Sequence, residues 1–185
     1  MKASVALLIF VIGLVALAAS LVWVGVYNFA AVEPHSKIVQ WLVVSAKRQS
    51  IARHSNDINA PLLSDFAWVK AGAQHYDASC VFCHGAPGRE AAEFSKGLNP
   101  PAPDLRKGEV RKKYTDAELY WIIKNGIRMT GMPAFGPMHS EKELWAIVAF
   151  IRRLAEMQAE DYGVVTKMGE QKKTGEQTPP SDKHH

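Results

Sequence analysis

Both cysteines of the chain fall in one pentapeptide, Cys80-Val81-Phe82-Cys83-His84. In a C-x-x-C-H spacing the two thiols can add to the two vinyl groups of a haem, while the adjacent histidine ligates the iron. Other chemistries must use the same atoms. A structural zinc site takes four ligands, and the sequence has no second cysteine pair; His75 and His139 lack zinc-finger spacing. A thioredoxin-like redox pair expects a βαβ context, whereas no stretch here alternates with period two. A disulfide alone leaves His84 without a role. The pentapeptide is therefore read as the attachment site of one covalent haem c, with Cys80, Cys83 and His84 as its binding residues.

A haem iron needs a second axial ligand or an open position. The best candidate is Met132, in Gly131-Met132-Pro133-Ala134-Phe135-Gly136. Gly131 permits close backbone approach and Pro133 stiffens the loop, so a thioether can be held in place. Met129, three residues earlier, is the rival, and most methionines are core filler. A histidine or an open site are the remaining alternatives. His35, His54, His75 and His139 are read as surface residues, and catalytic residues are not expected.

Residues 3–32 contain no charge, and about 20 apolar residues suffice to cross a bilayer. A cleaved signal peptide has an apolar region of only about 7–15 residues, so this segment reads as an uncleaved transmembrane helix. Trp23 and Tyr27 fall where amphipathic rings prefer the interface. Lys2 before the span and Glu33 after it favour a cytoplasmic N-terminus. Ser36 is a plausible N-cap for a second, amphipathic helix with Ile38, Trp41, Leu42 and Ile51, suited to a membrane surface, a partner subunit or a plain spacer role. Ser64 or Asp65 opens a helix towards Tyr76. The prolines at 100, 101 and 103 make 97–104 a loop. Thr115 with Glu118, and Ser140 with Glu143, are capping boxes. They open helices ending near Asn125-Gly126 and near Met157. The second places Leu144, Ile147, Val148, Ile151 and Leu154 on one face. Four segments follow: an anchor in 1–32, a linker in 33–65, a haem domain in 66–157 and a polar, disordered tail in 158–185.

The chain has 185 residues and a net charge of +4. That size fits one domain with an appendage and excludes a large multidomain enzyme. No segment is basic enough for a nucleic-acid binder. Arg106, Lys107, Arg111, Lys112 and Lys113, opposed only by Glu109, form either a steering patch for an acidic partner or a solvated loop. Tyr120-Trp121 can pack on the haem, donate to its propionates, or belong to the core.

The combination of Gly72, Tyr76, Cys80-x-x-Cys83-His84-Gly85, the proline-rich loop and Gly131-Met132-Pro133-Ala134-Phe135 before a final helix resembles the class I cytochrome c family, over residues 66–157. The resemblance implies an all-α fold around one haem, with the first helix crossing the last where Gly72 and Tyr76 meet the 144–151 face. It also implies a carbonyl of the proline-rich loop, from Pro100 or Pro101, on the ligand histidine. The anchor and linker look like those of membrane-tethered bacterial members. Haem attachment in that family occurs outside the bacterial cytoplasmic membrane, so the haem domain is expected in the periplasm on a single-pass anchor. Histidine–methionine ligation leaves no open coordination position. The expectation is thus an electron-transfer protein and not an enzyme: a tethered carrier, or the cytochrome subunit of a respiratory or dehydrogenase complex. Its partners would be the membrane and redox proteins, with no nucleic acid and no small-molecule substrate. The alternative is a haem enzyme or gas sensor with an open distal site.

Overall fold

The computed structural model describes residues 2–33 and 35–175. It is helical, and among the described residues no strand forms beyond one isolated bridge, Ala86 with Arg89. Two compact units divide at His35 and Ser36.

The first unit is helix α1, Lys2–Trp23, and the turn after it. Its Ala3–Trp23 stretch has a mean hydropathy of 3.0 and is the one helix among the described residues long and apolar enough to cross a membrane. Its side chains are exposed all round, the surface expected of a helix solvated by lipid. The Tyr27 hydroxyl lies 2.7 Å from His35 Nδ1 in the segment that follows.

The second unit holds helices α2 (Lys37–Ser55), α3 (Phe66–His75), α4 (Val81–His84), α5 (Glu109–Lys113), α6 (Asp116–Asn125), α7 (Glu141–Leu154) and α8 (Ala159–Gly175). Their starts follow the sequence signals. Asp65 accepts from the Ala67 N–H at 2.8 Å, and both capping boxes form, satisfying amides that have no partner inside a helix. α6 stops at Gly126, whose φ of +67° suits glycine.

The core is built on α7, whose residues from Leu144 through Ile151 are all buried. α3 crosses it at Gly72, where an added Cβ would fall 2.8 Å from Cβ of Phe150 and against the Ala146 backbone. Tyr76 continues the contact, 5.1 Å from Phe150 between ring centroids. On another side Tyr120 of α6 stacks on Trp145 at 4.2 Å. The expected apolar face of the last helix is buried, but so are Ala146 and Phe150 off that face, because α3 and α6 enclose the helix from different sides. Arg152 ties α7 to the preceding segment, through Asp116 at 2.5 Å, the Tyr114 carbonyl at 2.8 Å and the Arg111 carbonyl.

Two expectations are corrected. Residues from 158 on do not form a disordered tail as far as they are described: α8 occupies Ala159–Gly175 and packs on α3. Tyr162 and Val165, three apart on one helix face, are buried among otherwise polar neighbours, and Tyr162 meets Phe150. Two well-placed apolar residues outweigh the charge-rich composition. Residues 176–185, including His184-His185, lie outside the described residues. α2 is also not an amphipathic helix of the expected kind. Its apolar side chains cluster at the N-terminal end on all sides, while Ile51 and Ser55 at the other end are buried where the helix meets α6.

Candidate functional site

The C-x-x-C-H pentapeptide follows a change in helical pitch. α3 ends at His75, a π-turn covers Tyr76–Cys80, and α4 begins at Val81. Such single π-turns recur at functional sites because the extra residue re-aims the side chains after it. Here Tyr76 stays fully buried against α7, and its hydroxyl donates to the Gly85 carbonyl at 2.6 Å. Gly85 ends α4 with φ +67°, and a Cβ there would come within 3.3 Å of Arg106 Nε. The tyrosine thus spans the pentapeptide from its N-terminal side to its C-terminal end.

Cys80 is buried, Cys83 is half-buried, and no disulfide joins them. Burial, reinforced by Cys83, pushes the Cys80 thiol up to about 12. The thioredoxin-like reading needs a βαβ context, and among the described residues no strand forms.

His84 Nδ1 lies 2.8 Å from the Pro103 carbonyl, so Nδ1 carries the proton and donates, which leaves Nε2 with its lone pair. Burial lowers the histidine pKa, against smaller opposing effects of that carbonyl and Asp104. A neutral imidazole with a fixed tautomer is what iron ligation requires. The carbonyl is that of Pro103, not of Pro100 or Pro101 as expected. The reason lies one residue on. Asp104 caps the short turn Leu105–Lys107 by accepting from the Arg106 N–H at 3.0 Å and from Arg106 Nε at 2.9 Å. Arg106 also makes a two-pronged contact with Glu90, at 2.5 and 2.9 Å. The hydrogen bonds to Arg106 hold both carboxyls below their usual range. This clamp fixes the carbonyl just before it.

Met132 lies in a loop hung from the end of α6. Ile127 N–H donates to the Met132 carbonyl at 3.1 Å, Phe135 N–H to Ile123 at 3.0 Å, and Gly136 N–H to Lys124 at 2.9 Å. Thr130 braces it inside, donating to the Ile127 carbonyl at 2.7 Å and accepting from the Met132 N–H at 3.1 Å. Gly126 leaves room for the strand of chain through Met132 and Pro133, which a Cβ would meet at 2.7–2.8 Å. The Met132 side chain is half-buried at the edge of the apolar cluster that includes Cys80. Met129 is 77% exposed with a left-handed φ of 59°. Gly131 faces Leu98, whose Cδ2 an added Cβ would meet at 2.5 Å, so the methionine loop and the proline-rich loop touch.

The donor set therefore fits a covalent haem: two unpaired thiols at the right spacing, an imidazole with one nitrogen committed and one available, and a thioether on a braced loop. A zinc cage has no comparable basis, since among the described residues no three His, Cys, Asp or Glu side chains converge to hold a metal ion. His75 and His139 form an edge-on pair at 5.1 Å, with Glu143 3.6 Å from His75. His54 lies over Trp121 and His35 contacts Tyr27. Tyr120 belongs to the core.

The basic run is not a free patch either. Arg106 serves the Asp104 clamp, and Arg111 binds Glu156 and the Arg152 carbonyl, which leaves Lys107, Lys112 and Lys113 exposed. Sequence reasoning missed one further device. Asp77, inside the π-turn, accepts from Arg89 at 2.8 Å and from the Tyr162 hydroxyl at 2.5 Å. It joins the chain before Cys80 to the turn after His84 and to α8. The opposite charges of Asp77 and Arg89 flanking the pentapeptide were a signal; the tyrosine, 85 residues on, offered none.

Residues 67–151 match the family model described as cytochrome c oxidase, cbb3-type, subunit III. A quinohemoprotein alcohol dehydrogenase of Comamonas testosteroni is 29% identical over 140 residues, covering 72% of this chain and 18% of that protein. The chain thus spans less than a fifth of the length of that relative.

Proposed function

We propose that this chain carries a class I c-type cytochrome domain, in line with the family model and the relative it resembles, and that it is a membrane-anchored monohaem cytochrome working as the electron-transferring subunit of a redox complex. Cys80 and Cys83 would hold the haem through thioether bonds, and His84 and Met132 would supply ligands to its iron. When bound, the haem supplies one-electron chemistry between ferrous and ferric iron. The protein's residues do the rest. The Pro103 carbonyl holds the His84 proton at Nδ1, and Asp104 with Arg106 holds that carbonyl. Tyr76 and Asp77 fix the turns on either side of the thiols, and the bonds to α6 keep the methionine loop from swinging away. The anchor lies within residues 1–32, crosses the cytoplasmic membrane once and leaves the cytochrome domain in the periplasm. Residues 33–65 connect the two, and the domain of 66–157 is extended by α8.

The observation that carries this reading is the commitment of His84 Nδ1 to a clamped backbone carbonyl, because it gives the histidine beside two free thiols a ligand's tautomer. The preference for a complex subunit over a free carrier rests on what the chain resembles, a subunit of an oxidase and a quinohemoprotein dehydrogenase. A rigid α2 in place of a flexible tether adds to it.

The test is the intact mass and the ferric and ferrous spectra of the detergent-extracted full chain, with Met132→Ala alongside. The expected results are a mass increase of one haem that survives denaturation and a weak ferric charge-transfer band of a methionine–iron bond, lost in the variant. Rapid carbon monoxide binding by the unsubstituted ferrous protein would overturn the closed site and favour a haem enzyme or gas sensor.

A further inference from the structure

The end of α2 nearest the anchor in sequence carries an apolar surface that the second unit does not use. Ile38, Trp41, Leu42, Val43 and Val44 are all exposed, Ile38 by 73% and Trp41 by 66%. They lie around the helix and not along one stripe, so one neighbouring helix cannot cover them. Apart from Lys37 at its first position and Gln40, the polar residues come afterwards, with Lys47, Arg48 and Gln49 on the next turn. The far end is committed to protein, through buried Ile51 and Ser55 and the packing of α2 on α6. Exposed apolar clusters of this kind mark a surface that something covers.

Resting on the membrane-anchored reading above, we propose that the N-terminal two turns of α2 enter the lipid interface end-on, holding the cytochrome domain at the bilayer surface. Three features favour lipid over a protein partner. Thirteen residues separate α1 from α2, and those between also present apolar side chains, among them Val24, Val26, Phe29 and Val32. From residue 3 to residue 44 the sequence holds only two charges, Glu33 and Lys37, so the apolar character of the span runs on through the connector into α2. Beyond Lys37 at its tip, the order along the helix, a mainly apolar stretch and then Lys47 and Arg48, matches the order of acyl boundary and phosphate in a leaflet. Trp41 lies within the apolar stretch, less than two turns before Lys47, and its amphipathic ring suits the interfacial layer. α2 then acts as a strut: one end docks on α6, the other in the headgroup layer.

The experiment uses the full haem-loaded chain in nanodiscs of phosphatidylcholine with a minority of phosphatidylglycerol. Single nitroxide labels are placed through Ile38→Cys, Leu42→Cys, Gln49→Cys and, as a reference in the span, Leu14→Cys. Labelling of the unsubstituted chain is subtracted, and the haem spectrum verifies folding of each variant. The readout is relative accessibility to oxygen, which partitions into lipid, and to a water-soluble nickel complex. The proposal expects an oxygen-to-nickel ratio several-fold higher at 38 and 42 than at 49. Nickel-accessible labels at 38 and 42 beside a lipid-exposed label at 14 would overturn the strut and leave the anchor intact. Labels at 38 and 42 shielded from both reagents would overturn it in favour of a second copy of the chain. A nickel-accessible label at 14 would remove the anchor and the strut with it.

Discussion

Adding one methyl group at Gly72 or at Gly163 is the same chemical change with opposite expected consequences. Gly163 lies in α8 with nothing within 4 Å of an added Cβ, so Gly163→Ala gains only helix propensity, about 0.5–1 kcal/mol. Gly72 gains the same propensity, but its Cβ would meet the Ala146 carbonyl carbon at 2.5 Å and Cβ of Phe150 at 2.8 Å. The obstacle is the backbone of α7, the most buried helix of the domain, so it cannot rotate aside and the two helices must separate. Overpacking of a tight core costs typically about 1–3 kcal/mol, and a backbone obstacle belongs at the upper end. The net expectation for Gly72→Ala is a loss of about 2 kcal/mol, or roughly 4–8 °C in Tm for a unit of this size.

The assay is thermal and guanidinium unfolding of the full chain in detergent, followed by circular dichroism, with haem absorbance per polypeptide read in parallel. α3 leads directly into the π-turn and Cys80, so separating α3 from α7 should also lower haem incorporation during expression. Gly163→Ala is expected to raise the midpoint slightly and leave haem content unchanged. If Gly72→Ala proved as stable as Gly163→Ala, the close crossing of α3 and α7 would be wrong, and the placement of the pentapeptide relative to the core would go with it.

Tyr76→Phe keeps the ring against Phe150 but leaves the Gly85 carbonyl without its donor, a loss of about 1–3 kcal/mol measurable by denaturant titration. Burial, with Cys80, Tyr162 and Asp104 nearby, raises the Tyr76 phenol above its ordinary 10.0. The folded state therefore holds that proton more tightly than the unfolded chain. The stability is complete below pH 10 and falls as pH rises beyond it, and Tyr76→Phe should flatten that fall. Glu143 has its carboxyl lowered from 4.5, first by the Ser140 amide, so its cap stabilises above that pH and weakens as pH drops below it. Glu143→Gln should abolish this acid-side slope at a cost of under about 1 kcal/mol at neutral pH. Asp104→Ala frees Arg106 and loosens the Pro103 carbonyl, which weakens the hydrogen bond that makes the His84 imidazole electron-rich. The reduction potential should rise by roughly 20–60 mV, the equivalent of about 0.5–1.5 kcal/mol for a one-electron couple. A potentiometric titration with no rise would separate the clamp from the histidine.

What the sequence discloses here is local. The C-x-x-C-H spacing, both capping boxes, the cap at Ser36 and the glycine stop at 126 are each decided within four or five residues, and each is found in the fold. The carbonyl that meets His84 was misplaced because three prolines compete within four positions, and the choice among them is made by Asp104 and Arg106, through a bond to Glu90 sixteen residues earlier in sequence. α8 was hidden for a related reason. Its polar composition speaks for disorder, and only a partner surface on α3 turns Tyr162 and Val165 into a buried face. The basic run misled by composition as well, since two of its arginines are spent on internal carboxylates and carbonyls.

Several of the contacts that escaped the sequence have a common direction: they end next to the pentapeptide or the methionine loop. Tyr76 reaches over Cys80 and Cys83 to Gly85, Asp77 binds Arg89 and Tyr162, the Asp104 clamp reaches His84 through Pro103, and the end of α6 carries Met132. Loosening any one leaves the others in place, so single changes at these points should shift potential or stability before they abolish folding. Under the electron-transfer reading proposed above, redundancy of this kind has a plain physical use. Moving His84 would mean breaking its bond to the Pro103 carbonyl, and moving Met132 would mean breaking the bonds that hang its loop from the end of α6. Asp77→Ala isolates the branch that runs to α8. It should lower stability through Arg89 and Tyr162 while leaving the potential nearly unchanged, in contrast to Asp104→Ala. Equal shifts in potential from both variants would mean that the turn before Cys80 and the carbonyl at His84 act as one unit.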